Sequence, residues 1–153
     1  MLRDTTNSDK VAQFMRAMGQ DIREKSGFPD RETIDLRLSL IEEECNELID
    51  AINAKDIKEV ADALCDLLYV TYGAGHAFGI NLQVGFQNVH LSNMSKLGED
   101  GKPIYRDDGK VEKGPNYFPP KIERALTFWP RIHIYTIEVA MMGPRNTYSL
   151  NKG

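Results

Sequence analysis

The chain has 153 residues, of which 41% are hydrophobic and 27% charged, with a formal net charge of −4. That length suits one domain with its own core, since domains commonly hold about 100–150 residues. The acidic balance excludes a protein that grips nucleic acid by electrostatics alone, which needs a basic excess, so a polyanionic ligand would require a cation to neutralise it.

Residues 9–25 place Val11, Phe14, Met15 and Met18 at spacings of three and four, which predicts an amphipathic helix with Ser8 as its N-cap. Phe14 and Met18 read as core, with the lining of a base pocket as the alternative. Gly27 and Pro29 break the pattern, and Asp30 is placed to cap a second helix over Thr33 to Asn53. That helix carries Leu38, Ile41, Cys45, Leu48, Ile49 and Ile52 on one face. After the short polar turn NAKD, a third helix starts near Asp56 or Ile57 and ends among the glycines between Gly73 and Gly79. Asn81 caps a fourth, from Leu82 to about Lys96.

The composition then changes. Residues 98–120 hold four glycines and four prolines and show no helical period. Asp108-Gly109 between IYR and KVE predicts a small β-hairpin. Lys96, Lys102, Lys110 and Lys113 make this arm locally basic. In 121–153, RIHIYTIEVAMM reads as a strand or a short buried helix, and NTYSLNKG as a frayed end. The expected organisation is a helical core over 1–97, a basic loop or hairpin arm of the same domain over 98–120, and a C-terminal extension over 121–153 that carries no reading of its own.

Cys45 and Cys65 sit in apolar-periodic stretches without a Cys-x-x-Cys pair, and read as reduced core residues. His76, His90 and His133 are scattered and read as structural or surface residues. The stretch MLRDTTNSDK lacks the apolar run of a signal peptide. Val60 to Leu82, the least polar segment, contains Asp62 and Asp66, each costing about 2.5–3.5 kcal/mol at a bilayer centre. No membrane association and a cytoplasmic location are the expectation.

The acids carry the chemistry. Glu43, Glu44 and Glu47 fall within an arc of about 100° on the second helix, which by itself describes a solvated face as well as a site. Glu59, Asp62 and Asp66 occupy i, i+3 and i+7 of the third helix, an arc of about 60°. Apolar residues fill most of the remaining circumference, which predicts a buried helix on which carboxylates are costly unless paired or metal-bound. The competing readings are helix capping and pairing with arginines such as Arg37. The short connection makes the two helices an antiparallel hairpin, so the two acid groups can face one another. All-oxygen donors suit Mg²⁺, and the lack of His or Cys among them argues against zinc.

The stretch LRLSLIEEECNELIDAI followed by IKEVADALCDLLYVTYGAGHAFGI resembles the all-α nucleoside triphosphate pyrophosphohydrolases, which include MazG, the dimeric dUTPases and phosphoribosyl-ATP pyrophosphohydrolase. Their E-E-x-x-E and E-x-x-D hallmarks correspond to Glu43, Glu44 and Glu47 and to Glu59 and Asp62. The stretch VHLSNMSKLGEDGKPIYRDDGKVEKGPNYFPP looks like a MazG-like subgroup of bacteria and phages linked to dUTP. The resemblance spans residues 9–120 and leaves out Trp129 and the tail.

It implies an all-α fold, a four-helix MazG-like core assembled as a homodimer or dimer of dimers, with the irregular arm and its hairpin appended. It implies hydrolysis of a (deoxy)nucleoside triphosphate to the monophosphate and pyrophosphate. Glu43, Glu44, Glu47, Glu59 and Asp62 would then hold Mg²⁺ or Mn²⁺, with Glu43, Glu44 and Glu47 as the catalytic group and Glu43 able to orient the attacking water. Asp66, Tyr69, Asn93, Lys96, Lys113, Asn116 and Tyr117 become candidates for phosphate, sugar and base contacts. Two other functions stand beside dNTP hydrolysis: phosphoribosyl-ATP hydrolysis, which leaves the 93–120 arm without a purpose, and a non-catalytic nucleotide-binding helical dimer, which leaves the five motif acids without one.

Overall fold

The computed structural model describes residues 6–126. Helix α1 (Asn7–Ala17) opens on a capping box. The Thr6 hydroxyl accepts from the Asp9 N–H at 3.2 Å, and the Asp9 carboxylate accepts from the Thr6 N–H at 3.2 Å. Thr6, not Ser8, is therefore the cap, because the Thr-x-x-Asp spacing satisfies two backbone donors and Ser8 satisfies none. The helix stops at Ala17, well short of the expected 25, and Gly19 at φ +69° turns the chain. Val11, Ala12 and Met15 are buried, whereas Phe14 and Met18 are exposed, so the core reading of those two is wrong.

Asp30 caps α2 (Arg31–Ala54), accepting from the Thr33 N–H at 2.7 Å. Asp56 caps α3 (Ile57–Phe78), and only Lys55, at φ 57°, and Asp56 separate the two helices. A linker this short forces an antiparallel αα-hairpin. Arg37 on α2 lies level with Gly73 on α3, and two turns along α2 Glu44 lies level with Asp66. α1 packs on α3 and completes a three-helix body.

The buried face of this hairpin differs from the predicted one. Arg37 and Ala51 are buried on α2, while Leu38, Ile49 and Ile52 of the expected stripe are exposed. On α3 the buried residues are Ala63, Gly73, Gly75 and Ala77, while Leu64, Leu68 and Cys65 are exposed. Small residues let the helices approach closely, and the larger side chains are left on the outside. The expectations that α3 is buried all round and that both cysteines are core residues therefore fail: Cys45 is half-buried, and both thiols are free.

Gly79 ends α3 in the left-handed region at φ +67°, and a Cβ there would collide with the Lys25 carbonyl. Asn81 caps α4 (Leu82–Met94), its side chain accepting from the Val84 N–H at 3.2 Å. Leu82 packs on Gly75 of α3. Beyond that point the buried face of α4 is Gly85, Asn88 and Ser92, turned toward the arm and toward the single-turn α5 (Glu123–Leu126).

The predicted β-hairpin does not form. The arm closes its turn with one antiparallel bridge, Tyr105 to Val111, flanked by Arg106 N–H to Lys110 O (2.9 Å) and Glu112 N–H to Ile104 O (2.7 Å). Gly109, at φ +77°, makes the turn as its Asp-Gly sequence implies. The groups that would extend the pairing are engaged elsewhere, the Gly114 N–H donating to the Lys96 carbonyl and the Lys102 carbonyl accepting from the Gly98 N–H, and among the described residues there is no sheet. The segment RIHIYTIEVAMM, Trp129, His133 and the NTYSLNKG end lie outside the described residues. Among the described residues no helix is long and apolar enough to cross a membrane.

Candidate functional site

Two groups of predicted residues come together in the structure, on different parts of the chain. The first is acidic and lies on the half of the α2–α3 hairpin nearer its turn. Glu44 is half-buried there, and its carboxyl is pushed above the usual carboxylate range, first by burial and then by the negative charges of Glu47, Asp66, Glu43 and Asp62. Four carboxylates, two from each helix, thus surround the one that is driven inward. Its Oε2 is buried and has no hydrogen-bond partner. Glu59, in the first turn of α3, is exposed and pairs with Lys58 at 3.5 Å, a weak surface contact.

A buried carboxylate oxygen without a donor costs free energy on the order of 1–3 kcal/mol. The side chain that might have relieved it lies elsewhere. Arg37 is buried on α2 but donates to Gln20 Oε1 at 2.9 Å and packs against Gly73, and burial lowers its affinity for its proton. Pairing with Arg37 therefore does not explain these acids. Among the described residues, no three His, Cys, Asp or Glu side chains converge closely enough to hold an ion as they stand. Mutual repulsion favours such a spread arrangement in carboxylates of like charge. The donor set still fits a hard divalent cation, because every donor is an oxygen and Glu44 offers one that no protein group uses.

Next to the acids is an aromatic pair. Asp62, Asp66 and Tyr69 form one stripe on α3, and the Tyr69 ring meets Phe14 of α1 edge to face at 5.6 Å and 79°. Both rings remain more than a third exposed. Phe14 thus belongs to this surface, a placement that hydrophobic periodicity cannot distinguish from a core position.

The second group is basic and lies at the end of α4. Lys96 Nζ donates to Asn93 Oδ1 at 2.8 Å, and Lys113 Nζ sits 4.4 Å from the centre of the Tyr117 ring. The KGPNY segment is clasped onto the helix. The Gly114 N–H donates to the Lys96 carbonyl at 3.0 Å, so closely that a Cβ at Gly114 would collide with the Leu97 carbonyl. Ser92 Oγ donates to the Phe118 carbonyl at 2.8 Å, and the Phe118 N–H donates to Ser95 Oγ at 3.1 Å. Asn116 is exposed on the same segment. Sequence reading missed this clasp; its signals were two serines three apart at the end of α4, Ser92 in its last turn and Ser95 as its C-cap, and a glycine before Pro115.

The other two lysines of the arm are turned to local partners. Lys102 lies 4.0 Å from Asp100, and Lys110 lies 3.8 Å from Asp108, which Arg106 also approaches at 3.4 Å. A concavity of about 380 Å³ lined by Tyr105, Arg106, Asp107, Asp108 and Glu112 belongs to that turn and not to the acidic group. His76 is structural: its Nε2 lies 2.8 Å from the Ser8 carbonyl and ties α3 to α1.

Comparison with known proteins bears on this geometry. An uncharacterized protein of Acanthamoeba polyphaga mimivirus is 36% identical over 122 residues, covering 73% of this chain and 46% of that protein, so the chain spans about half the length of this relative. Residues 11–93, which run from α1 to the last turn of α4 and hold every acid of the first group, match the phosphoribosyl-ATP pyrophosphohydrolase family. The chain belongs to that family, within the all-α MazG-like nucleoside triphosphate pyrophosphohydrolases.

Proposed function

We propose that this protein is a divalent-metal-dependent nucleoside triphosphate pyrophosphohydrolase. It hydrolyses a deoxynucleoside triphosphate, with dUTP as the first candidate, to the monophosphate and pyrophosphate. The observation that carries the reading is Glu44: an inward carboxylate with an unused oxygen, ringed by four others, beside an exposed aromatic pair. Glu43, Glu44, Glu47, Glu59 and Asp62 are the residues that would hold Mg²⁺, or Mn²⁺ in its place. When bound, the ion would supply a water of lowered pKa and neutralise charge on the phosphates.

The protein's own groups do the rest. Glu43 accepts a hydrogen bond from the attacking water and orients it. Lys96 and Lys113 meet phosphate oxygens as point charges. Asp66, Tyr69, Asn93, Asn116 and Tyr117 supply hydrogen bonds and ring faces to the sugar and base. Phe14 extends the aromatic surface of Tyr69. Water cleaves the anhydride between the α- and β-phosphates, giving the monophosphate and pyrophosphate. The many exposed large apolar side chains on α2, α3 and α4 support a homodimer, alone or paired into a dimer of dimers. The reaction is placed in the cytoplasm.

The test is to supply dUTP, dCTP, dATP and GTP with Mg²⁺ and follow monophosphate and pyrophosphate. Turnover abolished by EDTA is expected; no turnover of any substrate, or turnover indifferent to EDTA, rejects the reading. Phosphoribosyl-ATP belongs in the same panel, because the family description names it. It ranks second because the clasped arm that follows Asn93, the last matched residue, lies beyond the match and has no assigned part in that reaction. Binding without cleavage would favour the non-catalytic dimer instead.

A further inference from the structure

Phe28 is 83% exposed, more than any other large apolar side chain among the described residues. Its position is nevertheless fixed. The Arg23 N–H donates to the His76 carbonyl and the Gly27 N–H to the Phe78 carbonyl, both at 3.0 Å, and Gly79 lies against the Lys25 carbonyl. These contacts stitch residues 23–27 to the end of α3. They set the Phe28 ring edge to face on the half-buried Phe78 ring, at 5.8 Å and 79°. An aromatic ring pinned in place and left in water marks a surface that another apolar group covers.

The last described residues lie beside this pair. The Ser26 hydroxyl donates to the Leu126 carbonyl at 2.8 Å, the Asn81 N–H donates to the Ala125 carbonyl at 2.9 Å, and buried Ala125 packs on Gly85. Leu126 is therefore tied at Ser26, two residues before Phe28. Two and three residues further along the sequence come Phe128 and Trp129. Three residues reach at most about 10 Å, which spans the step from Ser26 to the Phe28 ring.

We infer that Phe128 and Trp129 fold back onto the Phe28–Phe78 pair, so that this surface is the docking site of the chain's own C-terminal segment. The tether decides the occupant. A ring two or three residues away is held at high effective concentration, whereas a second copy or another protein must first give up its translational freedom. Aromatic rings also withdraw large areas from water and gain from edge-to-face or offset contact with one another. Asp66 lies about 18 Å back along α3 from Phe78, so this surface is separate from the acidic group.

Trp129 is the chain's one tryptophan, so its fluorescence in the whole protein reports this contact without reference to turnover. Its emission should lie to the blue of the guanidinium-unfolded chain, with weaker quenching by acrylamide, and both should hold on dilution. Phe28→Ser should move emission and quenching to the unfolded values while the helical circular dichroism is kept, and Phe28→Tyr should restore them. Ile52→Ser, an exposed apolar change at the other end of the hairpin, should leave both signals alone. In the unmutated protein, nuclear Overhauser contacts should join the Trp129 indole to the Phe28 or Phe78 ring. Absence of those contacts, or a tryptophan as quenchable as in the unfolded chain, overturns the inference. Shielding indifferent to Phe28→Ser, or equally sensitive to Ile52→Ser, places the indole elsewhere and also overturns it. Shielding lost on dilution assigns the surface to a second copy instead.

Discussion

The two halves of the α2–α3 hairpin are built on opposite plans. Away from the turn, Arg37 reaches across to Gly73, α1 covers α3 with Val11 and Met15, and Gly75 and Ala77 complete a tightly packed junction. Near the turn, only Ala51 and Ala63 are buried; Ile41, Leu48 and Leu67 are half-buried, while Ile49, Ile52, Leu64 and most of the acids are exposed. The first half is closed by its own chain. The second keeps its polar groups accessible and leaves apolar side chains such as Ile49, Ile52 and Leu64 exposed. Stability should therefore follow changes in the far half, and activity should follow changes in the near half.

The strongest attempt to break that division is Glu47→Gln. It removes one charge from the near half and keeps the shape, so the melting temperature should hold or rise while kcat falls on the order of 100-fold, as for loss of a group that supports a bound metal. A large drop in stability would mean that the acids are structural. The converse is Gly79→Ala, at the end of the packed half. The left-handed φ and the collision with the Lys25 carbonyl should together cost about 2 kcal/mol. That lowers the melting temperature by several degrees, with KM unchanged in the folded fraction.

This contrast also explains what the sequence made legible. The helix caps at Asp30 and Asn81 were readable because each satisfies a backbone donor three residues away, a purely local matter. The acids were readable because helical spacing alone puts Asp62 and Asp66 on one side of α3. The buried face was not readable. Hydrophobic periodicity assigns Leu38 and Leu64 to a core, and in a single chain Ala51 and Ala63 occupy it. Periodicity marks an apolar face without fixing whether small or large side chains on that helix form the contact. Thr6 as the α1 cap could have been found, since Thr-x-x-Asp has capping-box spacing.

A weaker and more local effect tests the basic group. Gly114→Ala places a Cβ against the Leu97 carbonyl and should lift the KGPNY segment off the end of α4. Lys113 and Tyr117 move with it. KM for the triphosphate should rise about 10-fold, the equivalent of roughly 1.4 kcal/mol of binding. Thermal stability should change little, because the clasp is peripheral to the three-helix body. Equal losses in kcat and stability would instead make the arm part of the core.

The smallest effect is the most informative about the near half. In the metal-free protein Glu44 binds its proton more tightly when folded than when unfolded, because burial and four acidic neighbours oppose its charge. Between the two pKa values the folded state holds more protons, so stability falls as pH rises through that window and is regained as pH drops from neutrality into the carboxylate range. Glu44→Gln should therefore stabilise the EDTA-treated protein at neutral pH by on the order of 1 kcal/mol, the scale of one unsatisfied buried group. That corresponds to about 2–4 °C in the melting temperature. Adding Mg²⁺ should reverse the ranking: the wild type gains stability with ion concentration, and Glu44→Gln gains far less. Equal gains in both proteins would place the ion away from Glu44. A loss of stability in the metal-free Gln variant would show that the unpartnered oxygen has a protein donor in solution.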